Sequence, residues 1–364
     1  MTMKLHLIFI GNKFVYNLSL REYILRNIEK ESDFIDSITY FKDSDNSLFL
    51  YLEEHLNNKT KMIVIGTKKH FSTIGKLICT VTSDNQVLHE GMLIPQKASL
   101  FEQGSYLLEY NHSILNVIEM DESKNLPPIL LPSSTTKATI HLFEEDESTL
   151  SNILSPIAQT YEVRFCISTI VDGWLRIDIF SKKFGDISKF IHSAKKLLPN
   201  KMIASSNIIL YIIDKLVASA KKISFAESCT GGLLSYFLTK ENGASNILDG
   251  SLVTYSNSLK ENWLAVSHAT LKEHGAVSYD VVREMSDGVI NVSNSEYAIA
   301  ISGIAGDGGG TEDKPVGTVY IGVRSESEHI EKHLHFYGDR NYVQAQSALY
   351  AIKMLLLIDK KTFF

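Results

Sequence analysis

The sequence predicts an α/β protein that contains more than one sheet. Short β-branched runs alternate with stretches of helical periodicity, and several of these runs end at a glycine. The chain has 364 residues, and a typical domain has about 150. Hydrophobic residues make up 44% and charged residues 21%, which allows sizeable cores and excludes a largely disordered chain. We therefore expect two or three folded domains.

The first domain is predicted over residues 1–132. Its first half reads, in order, as strand 4–10, helix 18–30, helix 47–57 and strand 61–65, and both strands end at a glycine. A strand, a helix and a strand of these lengths are typical of a parallel α/β unit. From about residue 76 the pattern changes to short strands and turns. The segment Pro127–Thr136, rich in proline, serine and threonine, predicts a linker.

A small α+β module is predicted over residues 137–200. Strand-like runs at 139–143 and 174–180 flank two stretches of helical spacing, 147–161 and 187–197. Pro199 and Asn200 form a turn signal that closes the module.

The third domain is predicted over residues 205–364. Asn207 can cap a helix that runs to residue 222, because its side chain can accept free N–H groups of the first turn. Further strands are predicted at 223–226, 251–254, 297–301, 318–323 and 329–336, and helices at 229–238, 271–274, 281–292 and 341–358. This alternation is typical of an α/β sandwich.

Charge and cysteine content exclude several classes of protein. With 36 basic and 42 acidic residues the net charge is −6, whereas binding along nucleic acid requires a basic surface. The three cysteines are far apart and form no CxxC pair, which excludes a disulfide framework and a cysteine-rich zinc site. His329, His333 and His335 lack the spacing of a metal motif. No secretory leader or membrane-spanning run is found, so we expect a soluble, cytoplasmic protein without metal or other cofactor.

Glycines are concentrated late in the chain. Fourteen of the 21 lie in residues 205–364, and glycine is common where backbone turns tightly or approaches a ligand. Three loops after predicted strands attract attention, at 226–232, 253–260 and 302–311, the last with five glycines in eight positions. In open α/β sheets such loops bind ligands. Free N–H groups at the helix start after the first loop would favour an anion or a developing oxyanion.

Seven blocks of residues follow one another in the third domain. They are A-E-S-C-T-G-G at 226–232, G-A-S at 243–245, V-T-Y-S-N-S-L-K at 253–260, H-G-A-V-S at 274–278, S-G-I-A-G-D-G-G-G-T at 302–311, K-P-V-G-T-V at 314–319 and Y-G-D-R at 337–340. This segment resembles the C-terminal domain of the CinA (competence/damage-inducible) family, which also occurs alone as nicotinamide mononucleotide (NMN) deamidase. The resemblance covers the third domain closely and the rest of the chain only weakly.

The resemblance implies an amidohydrolase that converts NMN to nicotinate mononucleotide and ammonia without a metal. The family's nucleophilic serine falls on Ser245, and its lysine falls on Lys260, which would be the base of a Ser–Lys pair. Such a lysine must be neutral near pH 7, which burial can achieve. Tyr255 would orient the pair or relay the proton.

The resemblance also implies a set of substrate-binding residues. Ser302 would form a hydrogen bond with the substrate, and Arg340 would bind the nucleotide phosphate or the developing charge. The remaining residues of the set lie in the glycine-bearing loops and are Ser228, Thr230, Gly231, Gly303 and Gly306. Asp307 departs from the family pattern, which usually has proline there.

Some of these assignments have rivals in the sequence. Ser228 lies at a strand-to-helix turn, as an esterase serine does, and competes with Ser245 for the role of nucleophile. Ser245 could instead be a helix cap. Cys229 could be a nucleophile, but a lone cysteine is more often a small buried hydrophobic residue.

Residues 1–132 occupy the place of a family domain that resembles molybdopterin-biosynthesis nucleotide binders. The signature T-G-G-L-G-P-T-x-D-D of that domain is missing, and the corresponding turn reads Ile65-Gly66-Thr67-Lys68-Lys69-His70-Phe71. The glycines that admit phosphate and the acids that would hold a divalent metal are absent. We therefore expect a degenerate domain.

Three functions remain open at this point. The leading one is NMN deamidation, with a pyridine nucleotide as partner and a homodimer as assembly. The second is hydrolysis of ADP-ribose by the first domain, against which the missing acids weigh. The third is a competence-related protein that binds a nucleotide without catalysis.

Overall fold

The computed structural model describes residues 3–31, 35–132, 136–181, 184–306 and 308–364. The chain divides into two compact units, Met1–Thr136 and Lys137–Phe364. Helices and sheets occur in both units, which confirms the predicted α/β class. Asp307 and the predicted linker residues 133–135 lie outside the described residues.

The first unit is built around a mixed sheet. Its elements are β1 (Leu5–Ile10), α1 (Asn12–Tyr16), α2 (Leu18–Glu31), β2 (Ile35–Phe41), α3 (Ser47–Leu56), β3 (Lys61–Thr67), α4 (Lys68–Thr82), β4 (Gln86–His89), β5 (Met92–Pro95), β6 (Leu100–Glu102), β7 (Ser105–Tyr110) and β8 (Ser113–Met120). The described strands of the sheet lie in the order β2-β1-β3-β8-β7-β6, and β4 and β5 form a separate hairpin. β2, β1, β3 and β8 are parallel, and β7 and β6 run antiparallel to their neighbours.

Apolar layers cover both faces of this sheet. α3 and α4 bury leucine and isoleucine against one face, and α2 does so against the other. The predicted strands and the two predicted helices of this unit are confirmed. The expectation of short strands from residue 76 is wrong up to Thr82, because α4 extends to that residue and buries Phe71, Ile74 and Ile78 on one side.

The second unit begins with a four-stranded sheet in the order β10-β11-β9-β12. Its elements are β9 (Thr136–Phe143), α5 (Glu147–Thr160), β10 (Val163–Val171), β11 (Trp174–Ser181), α6 (Ile187–Leu197) and β12 (Met202–Ala204). Side chains of α5 and α6 form an apolar core with the sheet. The division of the second unit near residue 200 stays a prediction.

A five-stranded sheet follows in the same unit, in the order β14-β13-β15-β16-β17. Its elements are α7 (Ile208–Ala218), β13 (Ile223–Glu227), α8 (Leu233–Thr239), a single 3-10 turn (Ala244–Asn246), β14 (Leu248–Val253), α9 (Asn257–Leu264), α10 (His268–His274), α11 (Tyr279–Ser293), β15 (Tyr297–Gly303), β16 (Thr318–Arg324), β17 (His329–His335), α12 (Arg340–Ile358) and α13 (Lys360–Phe363). β14, β13 and β15 are parallel, so their carboxyl ends meet at one edge, whereas β16 and β17 are antiparallel.

Helices cover both faces of the five-stranded sheet. α7, α8 and α12 pack on one face, and α9 and α11 pack on the other. Asn207 caps α7 as predicted, because its side-chain oxygen accepts the N–H groups of Ile209 and Leu210. α8 begins four residues later than predicted, because Gly231 and Gly232 adopt left-handed conformations (φ +59° and +101°) that a helix excludes.

Candidate active site

Ser228 lies at the carboxyl end of β13, where this strand turns toward α8. All five residues of β13 are buried, and the Ser228 N–H continues the ladder by donating to the Ile301 carbonyl at 3.0 Å. Ser228 is 8% exposed. The strand therefore holds the serine at the edge of the sheet, almost enclosed by protein.

Lys260 brings an amino group to this serine from the neighbouring loop region. Its Nζ lies 3.0 Å from Ser228 Oγ, 2.8 Å from the Thr254 carbonyl oxygen and 3.4 Å from the Tyr255 carbonyl oxygen. The sequence analysis missed α9, the short helix that carries this lysine. The Ser256 side chain caps that helix by accepting the Leu259 N–H, and this serine was the available signal for its start.

The surroundings of Lys260 raise the fraction of the side chain that is neutral near pH 7. The side chain is 1% exposed, and burial lowers its pKa from 10.5 to about 8. Its hydrogen-bond partners in the described part of the chain are a hydroxyl and two carbonyl oxygens, with no carboxylate among them. A lysine in this state can accept a proton from a neighbouring hydroxyl.

The structure does not bring Ser245 to Lys260, which corrects the expected pairing of these two residues. Ser245 is exposed in the 3-10 turn before β14. The carbonyl of Ile247, two residues after Ser245, accepts the N–H of Ile223 at the beginning of β13. Ser245 therefore lies beyond the amino end of β13, whereas Ser228 follows its carboxyl end, about 16 Å further along a five-residue strand.

Tyr255 contacts Lys260 through its backbone and not through its phenol. The side chain is 62% exposed, and its hydroxyl makes no hydrogen bond within the described ranges. The expected proton relay through the Tyr255 side chain is therefore not formed in this structure.

A buried carboxylate occupies the start of α8. Glu227 accepts hydrogen bonds from the N–H groups of Gly232, Leu234 and Ser235 and from the hydroxyls of Ser235 and Ser251, at 2.9–3.2 Å. These N–H groups were expected to be free for a substrate anion, and that expectation is wrong. This role was not predicted, although an acidic side chain near the start of a helix is favoured by the helix dipole.

The turn between Ser228 and α8 is shaped by Gly231, whose left-handed backbone leaves open space beside it. Thr230 lies in this turn with its hydroxyl buried. Cys229 is also buried, and burial raises the pKa of its thiol to about 12. A thiol in this state is not a nucleophile at neutral pH, so Cys229 fits the packing role considered for it.

Ser302 and Gly303 lie on β15, the strand next to β13. Ser302 is buried, and its hydroxyl donates to the Ala276 carbonyl at 2.7 Å, so it braces the loop before α11. A Cβ at Gly303 would lie 2.8 Å from the Thr318 carbonyl oxygen. Close pairing with β16 thus explains this glycine without a ligand.

Gly306 of the third glycine-bearing loop lies against Arg340. A Cβ at Gly306 would lie 2.5 Å from Arg340 Nε and 2.9 Å from its Cζ, so the guanidinium rests on the glycine. Arg340 begins α12, and the next turn of that helix holds the Cys229 carbonyl through Gln344 at 2.7 Å. Among the described residues Arg340 forms no ion pair, which leaves an exposed guanidinium beside the loop.

The corresponding crevice of the first unit is filled by a side chain of the chain itself. A Cβ at Gly11 would lie 2.8 Å from His70 Cε1, and His70 Nδ1 lies 2.9 Å from Thr67 Oγ1. The turn after β3 also carries Lys68 and Lys69. One carboxylate, Asp43, reaches the crevice, but its oxygens already face Lys69 Nζ at 3.3 Å and His70 Nε2 at 3.1 Å. A single carboxylate among these basic side chains does not fit a divalent cation, which prefers several carboxylate and carbonyl oxygens.

The described residues contain neither a metal-binding cluster nor a membrane-spanning helix. No group of three or more histidine, cysteine, aspartate or glutamate side chains is arranged to hold a metal ion. No helix has both the length and the apolar character needed to cross a membrane.

Comparison with known proteins identifies relatives of this chain. The family model of the CinA C-terminal domain matches residues 206–358. A CinA-like protein of Thermotoga maritima is 45% identical over 145 residues, which cover 40% of this chain and 35% of that protein. A CinA-like protein of Syntrophomonas wolfei is 34% identical over 257 residues, covering 68% of this chain and 61% of the relative.

A solved structure, the competence/damage inducible protein CihA from Agrobacterium tumefaciens, is 33% identical. It covers 43% of this chain and 97% of its own, with a TM-score of 0.41. A CinA-like protein of Petrotoga mobilis is 29% identical over 308 residues, covering 81% of this chain and 75% of the relative. Together, the family model and the relatives show that this chain belongs to the CinA family.

Proposed function

We propose that this chain is an amidohydrolase that releases ammonia from the carboxamide of NMN, with Ser228 as nucleophile and Lys260 as base. The observation that carries the proposal is the 3.0 Å contact between the buried amine and the serine hydroxyl, combined with the pKa of about 8. We assign the role of nucleophile to Ser228 and not to Ser245, because the Ser228 hydroxyl contacts the lysine.

The hydrogen-bond partners of Lys260 suit proton transfer. A neutral amine has two N–H donors and one lone pair. The carbonyl oxygens of Thr254 and Tyr255 can accept the two N–H bonds, so the lone pair is left for the Ser228 hydroxyl. After transfer, the ammonium has three donors for the same three oxygens. Neither state therefore leaves a buried group without a partner.

The reaction then proceeds through an acyl-enzyme. Ser228 Oγ attacks the carboxamide carbon while its proton passes to Lys260, and a tetrahedral oxyanion forms. The Cys229 N–H belongs to the residue that directly follows the nucleophile, the position that supplies an oxyanion donor in nucleophile-elbow enzymes. Lys260 returns the proton to the leaving nitrogen, and ammonia departs. A water molecule, deprotonated by Lys260, attacks the ester carbon. Lys260 then returns the proton to Ser228 Oγ as the carbon–oxygen bond of the ester breaks, and the carboxylate is released.

The choice of NMN as substrate comes from the resemblance to the family and from Arg340. The guanidinium beside Gly306 has no acidic partner in the described ranges and can bind a phosphate with two parallel hydrogen bonds. Homodimerisation and a role in pyridine nucleotide salvage follow from the same resemblance and belong to the proposal.

The test is the release of ammonia from NMN by the purified full chain, with nicotinate mononucleotide measured as the second product. Ser228→Ala should lower kcat at least about a thousandfold, as loss of a nucleophile does. Ser245→Ala is the matched control, since it removes the same atom from the other end of the sheet, and it should keep the wild-type rate. Wild-type protein that releases no ammonia, or a Ser228→Ala variant that does, would refute the proposal.

Hydrolysis of ADP-ribose by the first unit is not proposed. His70 fills the crevice above Gly11, and the one carboxylate found there, that of Asp43, is paired with Lys69 and His70. Hydrolysis of ADP-ribose that depends on an added divalent cation would contradict this conclusion.

A further inference from the structure

Two threonine hydroxyls near the Ser228–Lys260 pair are buried without a hydrogen-bond partner. Thr254 is fully buried and Thr230 is 3% exposed, and neither Oγ1 has a partner in the described part of the chain. Burying a hydroxyl without a hydrogen bond carries a free-energy penalty, so nearly all such groups in folded proteins are paired. Two unpaired hydroxyls next to one candidate nucleophile therefore require an explanation.

Thr254 lies on the same side of the sheet as the pair. Its N–H donates to the Glu227 carbonyl at 2.9 Å, so the alternation of β14 continues to this residue. The preceding Val253 is exposed, whereas Leu252 packs in the core beneath α9. Thr254 therefore directs its side chain to the side that α9 covers, which is also the side of Lys260.

The position of the Thr254 carbonyl limits the distance between the Thr254 hydroxyl and Lys260. That carbonyl oxygen lies 2.8 Å from Lys260 Nζ. Covalent geometry keeps a threonine hydroxyl within about 5 Å of its own carbonyl oxygen. Thr230 reaches the same region from the other side, since it follows Ser228 by two residues in the turn toward α8.

We propose that the hydroxyl of Thr254, assisted by that of Thr230, forms the subsite that holds the substrate's carboxamide against Ser228. A hydroxyl can both donate and accept, and a primary carboxamide offers one acceptor and two donors. The hydroxyls thus gain in the complex the hydrogen bonds that they lack in the free protein. This inference rests on the proposed amidohydrolase function and adds Thr254 as a residue that selects the reacting group.

The chain supplies a matched control in Ser224. Its hydroxyl is also buried and unpaired, and it lies on β13 itself. It precedes Ser228 by four residues, about 13 Å along the strand, which is too far to touch the same carboxamide. Removing this hydroxyl relieves a similar burial penalty without changing the subsite.

The experiment measures binding and stability separately. NMN is titrated by calorimetry into the Ser228→Ala protein, which cannot turn it over, and into the same protein carrying Thr254→Val, Thr254→Ser or Ser224→Ala. Thr254→Val should raise Kd about tenfold, the value of a lost hydrogen bond between neutral groups. Thr254→Ser should stay within about threefold of the parent, and Ser224→Ala should leave Kd unchanged. The Tm of the Thr254→Val protein should be equal to or higher than that of its parent, because the unpaired hydroxyl is gone.

Three results would overturn the inference. If the Thr254→Val protein binds NMN as tightly as its parent, Thr254 makes no contact with the carboxamide. If the parent binds no NMN, the subsite does not exist and the inference is wrong. A Thr254→Val protein that loses both binding and Tm shows that the side chain supports the fold. Wild-type protein that binds NMN through Thr254 but releases no ammonia would refute the proposed function alone.

Discussion

Lys260 meets Ser228 at 3.0 Å although 32 residues separate them in the sequence. The contact lies at the carboxyl edge of the parallel strands, where Ser228 directly follows β13 and Lys260 lies on α9. Burial, and not a charged neighbour, lowers the pKa of this lysine. We therefore expect its protonation to follow a simple titration curve as the pH of the solution changes.

The pH dependence of the reaction should follow the titration of Lys260. The base must be neutral, so kcat/KM should rise with pH through about 8 and then level off. About one lysine in ten is neutral at pH 7 if the pKa is 8. The measurement is kcat/KM for NMN from pH 6 to 9.5.

The control for this profile is Lys260→Arg. A guanidinium stays protonated throughout this range and cannot act as the base, so the variant should be inactive at every pH. A wild-type kcat/KM that does not change between pH 6 and 8 would count against Lys260 as the base.

Gly306→Ala should weaken binding of the substrate phosphate. The new Cβ would lie 2.5 Å from Arg340 Nε, so the guanidinium must move away from the loop. We expect KM for NMN to rise about tenfold, and KM for nicotinamide riboside, which lacks the phosphate, to change little. The two KM values are measured by ammonia release.

Gly308→Ala is the control in the same loop. A Cβ at Gly308 meets no atom within 4 Å, so this variant should behave as the wild type. An equal loss in both variants would indicate a general effect of alanine on the loop rather than displacement of Arg340.

Glu227→Gln should destabilise the second unit. The amide keeps one of the two carboxylate oxygens and turns an N–H₂ group toward donors that need an acceptor. A loss of roughly 3 kcal/mol is expected for a buried, charged acceptor. Urea unfolding followed by the fluorescence of Trp174, in a Trp263→Phe background, measures the change in the unit that contains Glu227.

Ser251→Ala provides the comparison for Glu227→Gln. It removes one hydroxyl donor at 3.2 Å and leaves the backbone donors in place. A loss of about 1 kcal/mol or less is expected. If both variants lost the same amount, the backbone N–H groups at the start of α8 would not depend on the carboxylate.

The stability of the second unit should fall as the pH drops from about 6.5 to 4. His141 is buried and accepts the Trp174 Nε1–H at 3.0 Å, and burial, with a smaller effect of Arg176, lowers its pKa from 6.5 to about 4. The unfolded chain therefore binds a proton that the folded chain does not, over this range. The maximum loss is on the order of 3 kcal/mol.

The check is the unfolding free energy of wild type and His141→Gln at pH 7 and pH 4.5. Glutamine does not titrate, so the difference between the two pH values should shrink in the variant. An unchanged difference would assign the acid sensitivity to other groups.

Much of the fold could be predicted from local pattern. Asn207 before an apolar stretch gave the start of α7, and runs such as 297–301 gave strands that the structure confirms. These elements have a clear period and a clear boundary residue. α4 was missed because its sequence mixes glycine, serine and β-branched residues, and α9 was missed because it is short and contains two asparagines and a serine. Packing against the sheets outweighs these weak propensities.

The residues of the candidate site could be predicted from the sequence, but the contact between the serine and the lysine could not. Ser228, Lys260 and Arg340 were all named from the sequence. Which serine meets the lysine depends on the register between β13 and β14 and on the turn into α9, and neither can be read from spacing alone. The burial that leaves Thr254 without a partner likewise arises only when α9 covers the strand end.

The carboxylate of Glu227 is a built-in hydrogen-bond acceptor for the turn after Ser228. The turn is already ordered before any substrate arrives, since five donors converge on a charge that belongs to the chain. In the proposed reaction the Cys229 amide therefore needs little reorganisation as the oxyanion develops, which is the condition under which fixed dipoles stabilise a transition state most. Inorganic phosphate or sulfate should therefore not bind at the start of α8, where Glu227 already accepts the N–H groups. These anions should compete with the substrate only near Arg340.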